Sequence, residues 1–337
     1  MNKENLKLSA AITVNKTMVK NRIVVPPMAD FGATNPDGLV NARHLRHYSE
    51  FAEGGAGLII IEACTVCRVH EHRNTIGLYD DVCIPGMHQL ALAATKNGAV
   101  AIVQLLNAGL DYLPYHSIAE IPAEMFQHYK KEFVEAAHRC KKAGFHGVEL
   151  HAAHGFYLDQ IVETSQRTDG YGGAFECRVR ILDELIREIK QQCGADFIVS
   201  VRFGNRSLDE LVLTAKTIES AGGDLLDVST GLGYYSRPLD FKYDAKVFAA
   251  SLVKKNTSIP VICVGNITES DTAEDILQEG YADLIAVGRG HLCDPSWANK
   301  ALKGKEPDKC FRCRQCKWYE DGEKCPAVIK RNRKNQF

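Results

Sequence analysis

The sequence of 337 residues predicts one α/β domain, a single (β/α)8 barrel, followed by a short C-terminal metal-binding extension. Eight short apolar runs alternate with helical patterns, and eight such units close into a barrel of about 250 residues. Four cysteines fall within sixteen residues near the C-terminus, and this density favours a metal site. We therefore expect the barrel in residues 1–303 and a cysteine-rich basic tail in residues 304–337.

The apolar runs lack strict alternation, which suits strands buried on both faces, as in a parallel sheet. They are Ile23–Pro26, Gly57–Ile61, Val100–Leu105, Gly147–Leu150, Phe197–Val201, Leu225–Val228, Val261–Val264 and Leu284–Val287. Helical patterns lie between them, at Ala42–Glu53, Ile84–Asn97, Ala123–Ala143, Cys177–Gln192, Leu208–Ala221, Asp244–Lys255 and Ser270–Glu279. A doubly wound open sheet is the alternative, but PPMADFGA after the first run is not the glycine-rich fingerprint of that fold.

Composition excludes several classes of protein. Hydrophobic residues make up 45% and charged residues 25%, as in a globular protein. The net charge of -1 gives no sign of a nucleic-acid or membrane partner. The N-terminus lacks the apolar segment of a signal peptide, and no run approaches the roughly 18 apolar residues of a membrane span. We therefore expect a cytoplasmic protein.

Polar groups stand at the ends of several predicted strands, where α/β barrels present their catalytic groups. The run that starts at Gly147 ends in His151 and His154. This pair favours a functional role, with barrel-mouth packing or half of a metal site as alternatives. Gln104 is either a core amide or a ligand of a flat heterocycle. Arg202 ends an apolar run, where a guanidinium is costly unless it meets an anion or a carboxylate, so we expect it to face a ligand.

The last three strand ends predict a phosphate site. They carry Gly231, then Gly265 and Asn266, then Gly288 and Arg289. Glycines let backbone N–H groups approach an anion, and barrels commonly bind phosphate after their seventh and eighth strands.

Eight motifs follow one another along the predicted barrel: KNRIVVPPM, GLIIIEA, IVQLLNAG, HAAHG, RTDGYGG, SVRFG, ICVGNI and AVGRG. In this order and spacing, from about Lys20 to Lys303, they resemble the old yellow enzyme family of FMN-dependent ene-reductases. The run DPSWANKALKGK and the clustered cysteines resemble a longer branch, the 2,4-dienoyl-CoA reductases and trimethylamine dehydrogenases. The resemblance implies an FMN-binding barrel, a small α,β-unsaturated substrate and a homo-oligomer.

The resemblance also implies which residues contact FMN. Carried over by motif, they are Pro27, Met28 and Ala29 beside the flavin, Ala63 near the isoalloxazine edge, Gln104 and Arg202 at the pyrimidine ring, His151 at the substrate face, and Gly231, Gly265, Asn266, Gly288 and Arg289 at the phosphate. Positive charge from Arg202 would stabilise the reduced, anionic flavin.

His151 and His154 would donate hydrogen bonds to the substrate carbonyl, so that hydride from flavin N5 reaches the β-carbon. The family usually has tyrosine, the proton donor, directly after the HG of HAAHG, but this position is Phe156 here. Tyr157 follows and is the catalytic candidate. The alternatives are ordinary packing of Tyr157, a proton from water or from another side chain, and a different half-reaction.

The tail carries Cys310-x2-Cys313-x2-Cys316-x8-Cys325, a set that suits an iron–sulfur cluster or a structural zinc. Without a signal peptide, a disulfide framework is disfavoured. The resemblance favours a 4Fe-4S cluster over zinc, and unmetallated thiols are the third alternative. From Lys300 onward, twelve Lys or Arg stand against five Asp or Glu. This excess offsets a cluster's charge, forms a solvated face, or docks an acidic electron-transfer protein.

The leading hypothesis is hydride transfer from reduced FMN to the β-carbon of an enone, enoate or enoyl thioester. NAD(P)H or an external electron-transfer partner would supply the electrons. Three alternatives stay open: a flavin and iron–sulfur amine dehydrogenase, an electron-transfer subunit that works with a partner reductase, and a phosphate-binding barrel lyase or isomerase without flavin.

Overall fold

The computed structural model describes residues 7–30, 35–68, 75–204, 207–230 and 236–334. A small antiparallel hairpin comes first, formed by β1 (Ile12–Val14) and β2 (Thr17–Val19). A two-residue strand, β5 (Ile76–Gly77), pairs with the end of β4. The eight long-range parallel strands are β3 (Ile23–Val25), β4 (Leu58–Thr65), β6 (Val100–Leu106), β7 (Gly147–Ala152), β8 (Ile198–Phe203), β9 (Leu225–Val228), β10 (Val261–Cys263) and β11 (Leu284–Ala286).

These eight strands form a closed ring, because β3 pairs with β11 on one side and with β4 on the other. Each apolar run singled out in the sequence contributes one strand, so the predicted (β/α)8 barrel is confirmed. Since all eight strands are parallel, their carboxyl ends open at one mouth.

Helices surround the ring, and the seven predicted ones are present. The helix predicted to reach Asn97 stops at Ala94, because Asn97 adopts a left-handed backbone (φ 54°). Helices α4, α9, α10 and α11 were not predicted, since none is longer than nine residues. In chain order the helices are α1 (Ala42–Glu53), α2 (Ile84–Ala94), α3 (Ala123–Ala143), α4 (Tyr157–Thr164), α5 (Phe175–Cys193), α6 (Leu208–Ser220), α7 (Ala245–Asn256), α8 (Ser270–Gln278), α9 (Gly288–Cys293), α10 (Trp297–Leu302) and α11 (Pro326–Lys334).

The barrel interior changes from apolar to polar along the strands. Side chains alternate between the interior and the helix-facing side, so residues two apart share a face. Two residues beyond the apolar layer, the interior positions are Gln104, Ser200 and Asp227, all buried. The hairpin contributes to the apolar layer, which consists of Val14, Val19, Val24, Leu58, Ile60, Val100, Ile102, Ile198, Leu225, Ile262, Leu284 and Ala286.

The tail packs against the barrel. The indole N–H of Trp318 donates to the carbonyl of Ala29 at 3.2 Å. Asp321 forms an ion pair with Arg43, which also donates two hydrogen bonds of 2.9 Å to Asp30. The division of the chain at residue 303 stays a prediction. In the described part of the chain, no helix is long and apolar enough to cross a membrane.

The burial of His291 on α9 can be tested by the pH dependence of stability. It is fully buried, and its Nδ1 lies 2.6 Å from the carbonyl oxygen of Val287. Burial lowers the pKa of His291 to about 4. When the pH falls below the ordinary histidine pKa of about 6.5, His291 becomes protonated in the unfolded chain but stays neutral in the folded protein. Folding stability is therefore lost as the pH falls. His291→Asn removes this titration. Between pH 7 and pH 5 the wild type should lose about 2 kcal/mol relative to this variant, measured by urea unfolding. If the difference in unfolding free energy between the two proteins is the same at pH 7 and pH 5, His291 does not have a lowered pKa in the folded protein.

Candidate active site

A cavity of about 490 Å³ lies at the carboxyl end of the barrel, a size typical of cofactor and ligand sites. Strand ends, α7, α9 and the tail all contribute to it. Its lining consists of Pro26, Pro27, Met28, Ala29, Arg202, Ser229, Lys246, Val264, Gly265, Asn266, Ile267, Thr268, Ala286, Gly288, Arg289, Leu292, Cys316 and Trp318.

Two strand ends that were predicted to bind phosphate are joined on one side of the cavity. Arg289 donates to the side-chain oxygen of Asn266 at 2.5 Å, and the Asn266 amide donates to Asp244 at 2.7 Å. Gly265 has a φ of 150°, and a Cβ there would lie 3.1 Å from Asp244. Lys246 adds a second cation to the lining. The sequence analysis missed Lys246, whose one signal is its place two residues after Asp244, which caps α7.

The paired histidines stand together at the end of β7. Their ring centroids are 5.0 Å apart and the rings are nearly perpendicular, at 88°. Phe156 packs against His151 with centroids 4.9 Å apart. His154 adopts a left-handed backbone (φ 66°), and its Nε2 lies 2.9 Å from the hydroxyl of Ser229, which lines the cavity. His151 is buried, and its Nδ1 has no hydrogen-bond partner among the described residues.

Both histidines are held in the neutral state. Desolvation, followed by the charges of His154 and Arg202, lowers the pKa of His151 well below its usual value. Desolvation, followed by Arg202 and Lys246, lowers the pKa of His154 to about 3. A neutral imidazole still has one N–H to donate, so the pair can act as hydrogen-bond donors near neutral pH.

The predicted cofactor residues fall into two groups. Pro27, Met28, Ala29, Arg202, Gly265, Asn266, Gly288 and Arg289 line the cavity. Within the described part of the chain, Ala63, Gln104 and His151 lie outside that lining. Gln104 is buried and donates to Glu149 at 2.9 Å, and Ala63 is half-buried at an irregularity of β4. Gly231 lies outside the described residues.

The structure does not bring Tyr157 to the cavity. Tyr157 begins α4 and is fully buried, with its ring 5.7 Å from Tyr129 and 6.3 Å from Phe126 between centroids. Its hydroxyl has no hydrogen-bond partner among the described residues. Because Tyr157 is the first residue of α4, its ring packs into the hydrophobic core against Phe126 and Tyr129 of α3.

The structure does not support the predicted metal site. All four tail cysteines are free thiols within the described residues, where no group of three or more His, Cys, Asp or Glu is placed to share a metal ion. Cys313 is exposed and Cys316 faces the cavity. Their positions differ because the hydrogen bond from Trp318 to Ala29 holds the neighbouring Cys316 against the barrel, whereas Cys313 is exposed.

The tail instead forms a wall of the cavity through Trp318, which the sequence analysis missed. Trp318 is 7% exposed, its ring lies 5.5 Å from that of His47, and it bonds to Ala29. Trp318→Ala is expected to weaken FMN binding by at least about tenfold, or about 1.4 kcal/mol, because it opens this wall. Trp318→Phe keeps an aromatic ring and loses one hydrogen bond, so its affinity for FMN should lie between those of the wild type and Trp318→Ala. Titration of the apoproteins with FMN will measure the three affinities. Equal affinities for all three proteins would contradict the assignment.

The cavity can hold FMN. The family resemblance places Arg202 at the polar edge of the flavin ring. Nε of Arg202 and Nδ1 of His151 both lack a hydrogen-bond partner among the described residues. A Cβ on Gly288 would lie only 3.3 Å from the sulfur of Met28, so glycine keeps this side of the cavity open. Two cations, Arg289 and Lys246, stand in the lining for an anionic group.

Comparison with known proteins identifies the family of this chain. The model of the "NADH:flavin oxidoreductase / NADH oxidase family" matches residues 7–118 and 115–308. The chain is 37% identical over 338 residues to a curated NADH oxidase of Thermoanaerobacter brockii, covering 89% of this chain and 52% of the relative. It is 32% identical over 324 residues to an NADPH dehydrogenase of Geobacillus thermodenitrificans (strain NG80-2), covering 89% of this chain and 94% of the relative.

A solved structure of 2-naphthoyl-CoA reductase in complex with 2-naphthoyl-CoA matches with a TM-score of 0.82 and 22% identity. The match covers 94% of this chain and 55% of that chain, and it supports the fold. The chain thus spans about half the length of both the NADH oxidase and this reductase. From the family model and the curated relatives, the chain belongs to the NADH:flavin oxidoreductase / NADH oxidase family, as the resemblance to old yellow enzymes predicted.

Proposed function

We propose that this protein uses FMN and NAD(P)H to reduce the activated C=C bond of an enone, enoate or enoyl thioester. The perpendicular, neutral pair of His151 and His154 at the end of β7 carries this proposal, because His154 contacts Ser229 of the cavity lining. Bound FMN would supply hydride chemistry. The relatives named for NADH and NADPH support a nicotinamide nucleotide as the electron donor.

The two histidines would hold the carbonyl oxygen of the substrate. Two N–H donors at one oxygen stabilise the negative charge that develops there when hydride reaches the β-carbon, as in an oxyanion hole. Ser229 contacts His154 Nε2, so it holds one ring, and Phe156 packs against the other. Arg289, Lys246, Gly265, Asn266 and Gly288 would hold the phosphate of FMN, and Arg202 would face the pyrimidine ring.

Solvent would supply the proton to the α-carbon. Phe156 has no acidic proton, and the hydroxyl of Tyr157 is buried away from the cavity. Burial, reinforced by Tyr129, raises the pKa of Tyr157 well above its usual value. Tyr157→Phe should therefore leave kcat unchanged, whereas loss of a real general acid lowers rates by about 10²–10⁴. Initial rates of alkene reduction at saturating substrate will distinguish these outcomes, and a loss in that range would restore Tyr157 as the proton donor.

The test of the proposed function is a pair of anaerobic half-reactions followed by absorbance of the flavin. NADH or NADPH should bleach the bound flavin, and 2-cyclohexenone or an enoyl thioester should restore its colour with formation of the saturated product. Reduction without reoxidation by any alkene would favour an electron-transfer role. Purified protein that binds no flavin at all would overturn the proposal.

The tail cysteines Cys310, Cys313, Cys316 and Cys325 stay a predicted site for a 4Fe-4S cluster or zinc, and an electron-transfer protein partner and a homo-oligomer stay predictions as well. Iron and zinc analysis of anaerobically purified protein tests the metal site. About four irons per chain would support the cluster, and one zinc would support a structural site. If the protein contains neither metal, the cysteines are free thiols.

A further inference from the structure

An ion pair in the barrel interior has an unusual geometry. Asp227 on β9 is completely buried, and its Oδ2 lies 3.5 Å from Nε of Arg202 on β8. Neither oxygen of Asp227 has a hydrogen-bond partner among the described residues, and neither does Nε of Arg202. The two groups therefore interact through charge across a distance longer than a hydrogen bond.

Other buried acids in this protein are bound differently. Asp30 accepts two hydrogen bonds of 2.9 Å from Arg43 in a bidentate pair. Glu149, in the same interior layer as Asp227, accepts from Gln104 at 2.9 Å and from Ser200 at 3.0 Å. A buried carboxylate without donors is costly, so a pair whose purpose was stability would be expected to have the geometry of Asp30 and Arg43.

The pair connects the interior layer to the cavity. Arg202 is paired in register with Asp227 on one side and with His151 on the other. Arg202 also lines the cavity, whereas Asp227 lies behind it within the barrel. A negative charge on Asp227 therefore reduces the positive potential that Arg202 produces at a bound cofactor.

We propose that Asp227 is the counter-ion of Arg202 and lowers the reduction potential of the bound flavin by offsetting part of the positive charge that Arg202 presents to it. This inference rests on the proposed flavin site. Arg202 stabilises an anionic reduced flavin more than a neutral oxidised one. Asp227 opposes that preference, which leaves the reduced cofactor a stronger hydride donor.

The other charged groups around the pair define its balance. Glu149 is a second interior carboxylate, and burial, reinforced by Asp227, raises its pKa to about 8. Burial also raises the pKa of Asp227, whereas Arg202 lowers it. The pKa values of His151 and His154 are lowered, so Arg202, Lys246 and Arg289 carry the positive charge on the cavity side. Asp227 is the one carboxylate that faces Arg202 in an ion pair among the described residues.

The test compares Asp227→Asn with Asp224→Asn. Asp224 directly precedes β9 and pairs with Lys190, so the control makes the same chemical change three residues away, outside the cavity lining. We measure the midpoint potential of the FMN-loaded proteins by anaerobic titration with reference dyes. Asp227→Asn should raise the potential by at least about 30 mV, a tenfold gain in the affinity for reduced over oxidised flavin. Asp224→Asn should leave it unchanged.

Equal potentials for wild type and folded Asp227→Asn would overturn the inference, as would an equal shift in Asp224→Asn. If Asp227→Asn does not fold, the double variant Arg202→Met/Asp227→Asn removes both charges, and Arg202→Met serves as its reference. Without Arg202 the buried carboxyl of Asp227 should be protonated and neutral, so its replacement should leave the potential unchanged, whereas a shift between these two proteins would contradict a role as counter-ion of Arg202. Wild type without bound flavin would contradict the proposed function instead, so the two failures are distinguishable.

Discussion

Replacing His154 with alanine is expected to lower kcat/KM for enone reduction by about 10²–10³, while the protein keeps its FMN. Each histidine supplies one donor to the oxygen where charge develops, and removal of one such donor costs about 3–4 kcal/mol. His151→Ala should have a similar effect. The double variant should lose less than the product of the two losses, because the rings contact each other and act as one unit.

The measurement separates donation from packing. His154→Asn keeps an N–H donor and should recover part of the rate, and His116→Ala changes an exposed histidine outside the cavity and should have no effect. Bound flavin is quantified in every variant. If His154→Ala retains the wild-type rate with full flavin content, the carbonyl is held by other groups.

The pH dependence follows from the same residues. The pKa of His154 is about 3, so its ring stays neutral from pH 5 to pH 8, and the pKa of His151 is also shifted well below its usual value. Titration of His154 should therefore produce no step in kcat/KM within this range. A step near pH 6.5 that disappears in His154→Ala would show that the ring titrates normally when substrate is bound.

Arg289→Ala is expected to weaken FMN binding by about 10- to 150-fold, because hydrogen bonds to charged groups contribute about 1.5–3 kcal/mol. Arg289 lies beside Asn266, which Asp244 holds in place, so its guanidinium is directed toward the predicted phosphate position. The wild type should bind riboflavin, which lacks the phosphate, more weakly than FMN by a comparable factor.

Titration of apoprotein with both ligands is the decisive measurement. Arg289→Ala should bind riboflavin as wild type does, since the lost interaction involves phosphate alone. Arg187→Ala removes an exposed arginine that pairs with Asp183 on α5, so it should bind both ligands normally. Equal losses of FMN and riboflavin affinity in Arg289→Ala would place the residue at another part of the cofactor.

The barrel could be predicted from the sequence because its signals are local. Each strand is a short apolar run, each helix has its own periodicity, and the order of these segments limits the topology to few choices. The sequence could also predict that Arg202, Gly265, Asn266 and Arg289 share one cavity. In a parallel barrel the carboxyl ends of all strands open at one mouth, so position along a strand is enough to bring them together.

Tyr157 and the tail show where local signals end. A difference of one residue decides whether a side chain faces the mouth or the core, and sequence alone left both positions open for Tyr157. Trp318 reaches Ala29 across 289 positions of the chain, and no periodicity records such a contact. The cysteine spacing predicted a metal site, but the placement of Cys313 and Cys316 depends on how the tail packs on the barrel.

By itself, the sequence determined the barrel, its family and the side of the barrel where the site lies, because strand order, parallel pairing and motif position all follow from local patterns. The tertiary structure decided which side chains face one another across strands. The aspartate in LLDVS and the arginine in SVRFG are 25 positions apart, and only the register of β8 with β9 makes them a pair. Whether a buried charge is satisfied depends on such long-range geometry, and this is the level at which we expect the flavin to be tuned.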